Sequence, residues 1–239
     1  MNTNSKIISS IRLFRTSSHP CSYKENQRAA TVFVDPDLAI DKSINSKLSD
    51  LGYRRSGAHL YRPDCDFCSA CISCRVPVDF YQFKRSQQRI LTNNKDLNVV
   101  ERNDLTCDES FSLYERYINM RHADGDMYPA TPEQFEAFIK TKTVDTRFYL
   151  FYRDTKLLAV SVTDVLEQGL SAVYTFFDPA EPKRSLGIHA VLHQINKAKE
   201  FGLPYLFLGY WIKNCQKMEY KSLFRPMEML VDGNWILVK

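Results

Sequence analysis

Three consecutive runs rich in aromatic and β-branched residues constrain the fold of this chain more than any other feature. They cover residues 148–152, 157–165 and 170–177. Only the short turns Asp154-Thr155 and Glu167-Gln168-Gly169 separate them. A parallel crossover needs a dozen or more residues, so turns this short predict an antiparallel meander.

Helical patterns surround this meander. Apolar spacing typical of a helix begins at Phe111, and Thr131 opens a capping box for a second helix. A third helical pattern covers residues 188–201, ends before Gly202, and is followed by a strand-like run at 205–208. This order predicts an α+β fold in which helices flank a sheet.

The first 100 residues have a different character. Asp35-Pro36-Asp37 reads as the capped start of a helix that ends just before Gly52, and residues 75–80 read as a strand whose Pro77 suits a sheet edge. We therefore predict an N-terminal Cys-containing α+β module at 1–100 and a second domain at 101–239. The second domain closes with a hairpin at Asp232-Gly233.

Composition limits the class of protein. The 239 residues are 44% hydrophobic, which is enough for a sizeable core. No run approaches the roughly 20 apolar residues that span a bilayer, and the first residues lack an apolar signal core, so we expect a cytoplasmic protein without membrane contact. The net charge of +4 permits nucleic-acid binding but does not demand it.

Four cysteines at intervals of three residues, Cys65, Cys68, Cys71 and Cys74, form the sharpest local motif. Thiolates at this spacing can converge on zinc or on an iron-sulfur cluster, with Cys21 as a remote ligand. The run is equally compatible with structural or redox-sensitive thiols that hold no metal.

A second motif mixes cations with aromatic residues, as RNA-binding surfaces do, since phosphates need positive charge and unpaired bases stack on rings. The cations are Arg54, Arg55, Arg62, Arg75, Lys84, Arg85 and Arg89, and the aromatic residues are Tyr53, Tyr61, Tyr81 and Phe83. For any one of these residues a solvated surface role is the simpler interpretation, so only the cluster predicts tRNA binding.

Two further segments carry polar chemistry. Residues 121–126, RHADGD, combine a cation, an imidazole and carboxylates at the predicted end of a helix. Read by itself, this is a polar helix end. Residues 177–187 form a strand, a loop and a helix start, where amide groups meet anions in other proteins.

Several long blocks together resemble a known family, the arginyl/leucyl-transferases of the N-degron pathway, and most closely its aspartate/glutamate leucyltransferases. The blocks run from about Cys21 to Phe224. They are GYRRSGAHLYRPDCDFCSAC, RVPVDF, YERYINMRHADGD, SAVYTFFDP, RSLG, LPYLFLGYWI and KMEYKSLFRP. The resemblance implies a GNAT-like acyltransferase domain behind the Cys-bearing module. It also implies transfer of leucine from Leu-tRNA to proteins with an N-terminal Asp or Glu, which marks them for degradation.

The resemblance and the charges together suggest roles for individual residues. An acidic substrate needs a cation in its pocket, for which we select His122, Arg184 and Lys221, with Arg121 and Lys217 in reserve. Tyr174, with His122, is the candidate catalytic residue; core packing is its other interpretation. The donor ester is already activated, so no cofactor is expected for the chemistry.

Two departures from related patterns matter. GNAT enzymes that use acyl-CoA carry a small residue at the end of the phosphate loop, where this chain has His189, and this disfavours a CoA donor. Eukaryotic relatives bind their iron-sulfur cluster partly through an N-terminal CxxC pair, of which this chain has only Cys21. Two other functions stay open: a Cys-metal RNA-binding module without catalysis, and a GNAT N-acetyltransferase that uses acetyl-CoA.

Overall fold

The computed structural model describes residues 11–105, 108–125, 127–141 and 145–239. Its strands are β1 (Leu13–Arg15), β2 (His19–Pro20), β3 (Arg28–Ala29), β4 (Thr31–Val34), β5 (Arg54–Ser56), β6 (His59–Pro63), β7 (Ile72–Pro77), β8 (Asn98–Arg102), β9 (Thr146–Arg153), β10 (Lys156–Val165), β11 (Gly169–Phe177), β12 (Tyr205–Trp211), β13 (Met227–Val231) and β14 (Asn234–Val238). Its helices are α1 (Lys42–Asp50), α2 (Arg85–Asn93), α3 (Asp108–Arg121), α4 (Pro132–Gln134), which continues as a π-helix (Phe135–Lys140), α5 (Leu186–Glu200) and α6 (Gln216–Glu219). Short 3-10 helices cover Val78–Phe80, Pro182–Arg184 and Tyr220–Leu223.

An eight-stranded mixed sheet organises the molecule, in the order β14-β13-β7-β12-β11-β10-β9-β8. Strands β9, β10 and β11 form the predicted antiparallel meander. The β13–β14 hairpin turns at Asp232 and Gly233, whose φ angles of 49° and 77° suit a tight hairpin turn. The meander and the hairpin predicted from sequence are confirmed.

Side chains that alternate along the strands fill a core on each face of the sheet. Phe148 and Leu150 of β9 pack with the α3 side chains on one face, whereas Tyr149 and Phe151 pack with the start of α5 on the other. Helix α2 lies beside α5 and adds Ile90 to the core on the α5 side. These two layers confirm the predicted α+β class. In the described part of the chain, no helix is both long and apolar enough to cross a membrane.

A smaller four-stranded sheet, ordered β1-β4-β6-β5, forms the N-terminal region with α1. Its core contains Val34, Leu48, Tyr53 and Leu60. Strand β7, also from the first 100 residues, lies inside the large sheet between β13 and β12. Both parts of the sequence thus contribute strands to one sheet, and the boundary at residue 100 stays a prediction.

Two local predictions were wrong. Helix α1 begins at Lys42 rather than near Asp37, because the Asp41 side chain accepts the Ile44 amide and supplies the N-cap. The strand predicted at 75–80 ends at Pro77, where a 3-10 helix begins, and it lies between two partners rather than at an edge. Pro77 is tolerated because it is the last residue of the strand.

Candidate active site

Strands β11 and β12 are parallel neighbours that soon part. Their pairing is limited to Gly169–Ser171 against Tyr205–Phe207, although β11 continues to Phe177 and β12 to Trp211. A bulge in β11 at the same level shifts its register with β10 between Val162 and Thr163. Beyond this point β11 stays paired with β10 and β12 stays paired with β7. The backbone groups on the two edges that face each other no longer have a strand partner and must bond elsewhere. We call the opening between residues 172–177 and 208–211 the fork.

Arg54 enters the fork from β5 of the smaller sheet. Its guanidinium donates to Ser171 Oγ at 3.1 Å and to the carbonyl oxygen of Ala172 at 2.6 Å. Gly209 faces it from β12, where an added Cβ would lie 2.7 Å from Arg54 Nε. The φ of Gly209 is +80°, a conformation that side-chain-bearing residues rarely adopt.

Lys221 lies near the same opening, in the 3-10 helix that follows α6. Lys221 is only 5% exposed, and its Nζ donates to the carbonyl oxygen of Tyr210 and contacts Met218 Sδ at 3.4 Å. Burial lowers the pKa of Lys221 from 10.5 to about 8, with the charge of Arg54 acting in the same direction. Among the described residues, neither Lys221 nor Arg54 forms a salt bridge with a carboxylate. Two neighbouring cations without an anion constitute a site suited to an anionic ligand.

An aromatic group surrounds His122 and Tyr174. The Tyr117 ring lies 5.0 Å from the His122 ring, 6.4 Å from Tyr174 and 4.9 Å from Phe177. Burial, followed by the charges of Lys217 and Arg121, lowers the pKa of His122 below its ordinary 6.5. Imidazole is therefore neutral at pH 7 and able to accept a proton.

Burial raises the pKa of the Tyr174 hydroxyl far above its ordinary value. The hydroxyl thus keeps its proton at neutral pH and can serve as a hydrogen-bond donor. The hydroxyl contacts the Met127 sulfur at 4.0 Å, which is a weak acceptor. Both interpretations of Tyr174, as a site residue and as core, fit its position beside Tyr117 and Phe176.

The other cations predicted for an acidic substrate differ in their surroundings. Lys217 pairs with Asp124 at 2.9 Å near His122, and Arg121 lies over the Phe177 ring at 5.3 Å. Arg184 is held elsewhere, by two hydrogen bonds to Asp96 at 2.9 and 2.8 Å. A guanidinium already paired with a carboxylate holds its loop in place, so we remove Arg184 from the acid-binding set. Asp126, a carboxylate of the predicted polar segment, lies outside the described residues.

The cations predicted to bind tRNA separate into three groups, of which the first is Arg54 in the fork. Arg55 is buried with Asp164, at 2.6 and 2.9 Å, and the two side chains are only 2% and 1% exposed. Arg75 pairs with Glu228 and lies 3.6 Å from the Tyr205 ring centroid. Both are internal ion-pair partners, so their positions give no support to the predicted tRNA contacts. The exposed members are Arg62, Lys84, Arg85 and Arg89.

The cysteines also separate. Burial, and then the thiols of Cys65, Cys21 and Cys68, raise the pKa of Cys71 to about 11, so these four lie close together. Cys74 is fully buried in the core, where its thiol donates to the carbonyl of Gly209 at 3.2 Å, so its position gives no support to its predicted role as a ligand. Within residues 11–105, 108–125, 127–141 and 145–239, no three His, Cys, Asp or Glu side chains are arranged to hold a metal ion. The structure thus gives no support to the predicted zinc or iron-sulfur site.

The sequence did not predict the fork. Its one sequence signal is Gly209 inside an otherwise aromatic and aliphatic strand, since an isolated glycine there often marks a bulge or a close approach. Arg54 and Arg55 are adjacent and chemically identical, and only strand alternation sends one to the fork and the other to Asp164.

Comparison with known proteins identifies the family. Models described as "Arginine-tRNA-protein transferase, N terminus" and "C terminus" match residues 19–89 and 109–231. The chain is 53% identical over 231 residues to an aspartate/glutamate leucyltransferase of Teredinibacter turnerae, covering 96% of this chain and 95% of that protein. It is also 53% identical over 228 residues to one of Alcanivorax borkumensis, covering 95% and 94%.

A solved structure, FemX, has a similar fold, with a TM-score of 0.51 at 8% sequence identity, covering 95% of this chain and 87% of FemX. At this identity the likeness concerns the fold alone, and it agrees with the GNAT-like acyltransferase architecture expected above. The full-length matches carry the assignment further. This chain belongs to the arginine-tRNA-protein transferase family, alongside the aspartate/glutamate leucyltransferases.

Proposed function

We propose that this protein transfers leucine from Leu-tRNA to the N-terminal Asp or Glu of other proteins and so marks them for degradation. Its relatives at 53% identity carry the name aspartate/glutamate leucyltransferase, which supports both the donor and the acceptor. The structural observation that carries the proposal is Lys221, a buried ammonium without a carboxylate partner among the described residues. Such a cation suits the carboxylate of an acidic N-terminal residue.

The reaction makes modest chemical demands. The acceptor amine attacks the ester carbon of leucyl-tRNA, a peptide bond forms, the ester C–O bond breaks, and the terminal ribose hydroxyl leaves with a proton. An α-amino group with a pKa near 8 is about one-tenth deprotonated at pH 7, so a strong base is unnecessary. The enzyme must mainly hold the amine about 3 Å from the ester carbon and stabilise the developing oxyanion. No cofactor is required for these steps.

His122 and Tyr174 are our candidates for the proton steps. Neutral His122 accepts the proton that the amine loses on attack, and its lowered pKa keeps the ring unprotonated and available at pH 7. Tyr174, which retains its proton, donates a hydrogen bond to the developing oxyanion or to the leaving oxygen. Their shared neighbour Tyr117 supports a common site.

Lys221 binds the acidic side chain of the acceptor in this proposal. Lys217 and Arg121 line the approach from the His122 side, which their effect on the His122 pKa supports. A carboxylate that enters the fork exchanges its hydration for a charge-assisted hydrogen bond with Lys221, whereas an amide or a cation does not. The fork therefore favours acceptors whose first residue is Asp or Glu over those that begin with Asn, Lys or Arg.

The exposed cations of the second motif bind the tRNA. Three of these cations lie on α2: Lys84 is its N-cap residue, and Arg85 and Arg89 lie within the helix. Their side chains are exposed and form no salt bridge among the described residues. Arg62 extends the positive surface on β6, where it lies 5.1 Å from the Tyr53 ring. These residues neutralise phosphates of the acceptor arm and release counterions.

The direct test is incubation of the purified protein with labelled Leu-tRNA and peptides that begin with Asp, Glu, Lys or Arg. We expect label on the Asp and Glu peptides only. Label confined to Lys or Arg peptides would overturn the acceptor assignment. RNA binding without label transfer would favour a non-catalytic module, and acetyl-CoA binding in calorimetry would favour an acetyltransferase.

A further inference from the structure

Arg54 binds β11 at the point where the pairing of β11 with β12 ends. Ala172 is the first residue of β11 beyond the register with β12, and it also adjoins the bulge against β10. Its carbonyl oxygen would lack a partner there, and Arg54 supplies one at 2.6 Å. The second bond, to Ser171 Oγ, fixes the guanidinium plane. A planar two-point contact of this kind is specific to arginine.

Gly209 provides the room for this contact. A Cβ at position 209 would lie 2.7, 2.9 and 3.0 Å from the Nε, Cζ and Nη2 atoms of Arg54, so a larger residue would displace the guanidinium. The two strands of the fork are thus kept at a fixed separation by an arginine on one side and a missing side chain on the other. Gly209 and Tyr210 are neighbours, and Tyr210 holds Lys221 through its carbonyl.

We propose that Arg54 is a positioning residue of the acceptor site, which fixes the width of the fork and thereby the place where Lys221 meets the acceptor carboxylate. This inference rests on the function proposed above. It reassigns Arg54 from the tRNA surface predicted by sequence to the interior of the site. Arg54 acts through Lys221 and the backbone of β11, not by chemistry of its own.

Electrostatics add a second consequence of the same geometry. Burial is the larger cause of the lowered Lys221 pKa, and the positive charge of Arg54 lowers it further. The thiols of Cys74 on β7 and of Cys215 ahead of α6 act in the opposite direction. Removing the charge at position 54 should therefore raise the Lys221 pKa and extend acid binding to higher pH.

Steady-state kinetics with Leu-tRNA and an Asp peptide, across pH 6.5 to 9.5, test the inference. We expect Arg54→Met to raise the peptide KM at least tenfold, with less change in kcat, and to move the alkaline limb of kcat/KM upward. Arg54→Lys should return the limb toward its wild-type position but leave the KM raised, because lysine restores the charge without the two-point contact. A purely structural role would not move the pH limb.

Arg12→Met is the matched control, since this arginine of the N-terminal region is exposed and pairs with Asp35 on the surface. It should keep wild-type kinetics. If the Arg54 variants fail to fold, Ser171→Ala, which removes one hydrogen-bond partner, should raise the KM two- to threefold. A wild-type KM in Arg54→Met, or in Ser171→Ala, would overturn the inference.

The failure of the proposed function would look different. If wild-type protein did not label Asp peptides, the function itself would be refuted. If Lys221→Met kept full selectivity for them, the transferase function would stand, but the role of Lys221 as the acceptor-binding cation would be refuted, and with it the route by which Arg54 acts. If Lys221→Met lost that selectivity while Arg54→Met behaved as wild type, only the role of Arg54 would be refuted.

Discussion

Replacement of Lys221 by Met should make the protein more stable and less active. Lys221 carries its charge in an interior that provides a backbone carbonyl but, among the described residues, no carboxylate. A binding cation held in this way is destabilising until its anionic ligand arrives, as is common where stability is sacrificed for function. Methionine has a similar shape and no charge, so it removes the cation while filling the same space.

The magnitude follows from the lowered pKa. The change from 10.5 to about 8 corresponds to about 3 kcal/mol of unfavourable burial of the charged form. The variant leaves the Tyr210 carbonyl without its donor, which costs about 1 to 2 kcal/mol. A net gain of about 1 to 2 kcal/mol in the free energy of unfolding is therefore expected at pH 7.

The pH dependence provides a sharper signature. Between about pH 8 and pH 10.5 the folded wild type has lost the Lys221 proton while the unfolded chain retains it, so wild-type stability rises with pH in this window. The Met variant lacks this contribution, and its advantage should shrink as the pH rises from 7 to 9.5. Other titrating groups are shared by both proteins and cancel in the difference.

Urea denaturation at pH 7 and pH 9.5, together with transfer to an Asp peptide at pH 7, measures both effects. Lys199→Met is the matched control, because Lys199 also donates to a carbonyl, that of Tyr81 at 2.9 Å, but is exposed. It should change stability by less than about 0.5 kcal/mol. A Lys221→Met protein that is less stable than wild type by the same amount at both pH values, or that transfers leucine normally, would refute this reasoning.

Three further predictions concern other parts of the molecule. Asp164→Asn leaves the buried Arg55 charge without its partner and should lower the free energy of unfolding by about 3 to 5 kcal/mol in urea denaturation; a loss below about 1 kcal/mol would contradict the internal role of this pair. His122→Ala should lower kcat for Asp peptides about a hundredfold at an unchanged melting temperature, and the wild-type acid limb should lie below pH 6.5 because the His122 pKa is lowered; equal kcat values would exclude His122 from the proton steps. Glutamine at the exposed α2 cations should weaken Leu-tRNA binding and reduce the slope of log K against log salt by about 2, without affecting peptide binding; an unchanged slope would place the tRNA elsewhere. These cations are Lys84, Arg85 and Arg89.

The sequence was most informative where structure depends on nearby residues. The meander follows from β-branched and aromatic runs joined by short turns. Thr131 caps its helix by accepting the amide of Gln134, three residues away, which confirms the predicted N-cap. The return bond of a capping box is not formed, because the Gln134 Oε1 atom has no hydrogen-bond partner among the described residues. The helix predicted at 188–201 agrees with α5, whose bounds are Leu186–Glu200.

Features that depend on distant partners could not be predicted in this way. The insertion of β7 between β13 and β12 joins segments about 130 residues or more apart in the chain. Arg184 and Arg55 carry the charge expected of ligand-binding residues, but they form salt bridges with Asp96 and Asp164. Cys74 continues the cysteine spacing, yet strand geometry turns its thiol into the core. In each case the partner is distant in the sequence and becomes a neighbour only in the folded chain.

Selection of an acidic first residue by a cation at the fork is the central claim about this protein. The most direct measurement is the ratio of dissociation constants for two peptides that differ only in Asp or Asn at the N-terminus, at pH 7 and at pH 9.5. The β-carboxylate of Asp raises the pKa of its own α-amine relative to Asn, so each peptide's amine is titrated separately and its protonation corrected for. His122 is neutral throughout, so the corrected ratio reports on Lys221. We predict a clear preference for Asp at pH 7 that is largely lost at pH 9.5. Equal binding of both peptides at pH 7, or a preference that does not change with pH, would contradict the account.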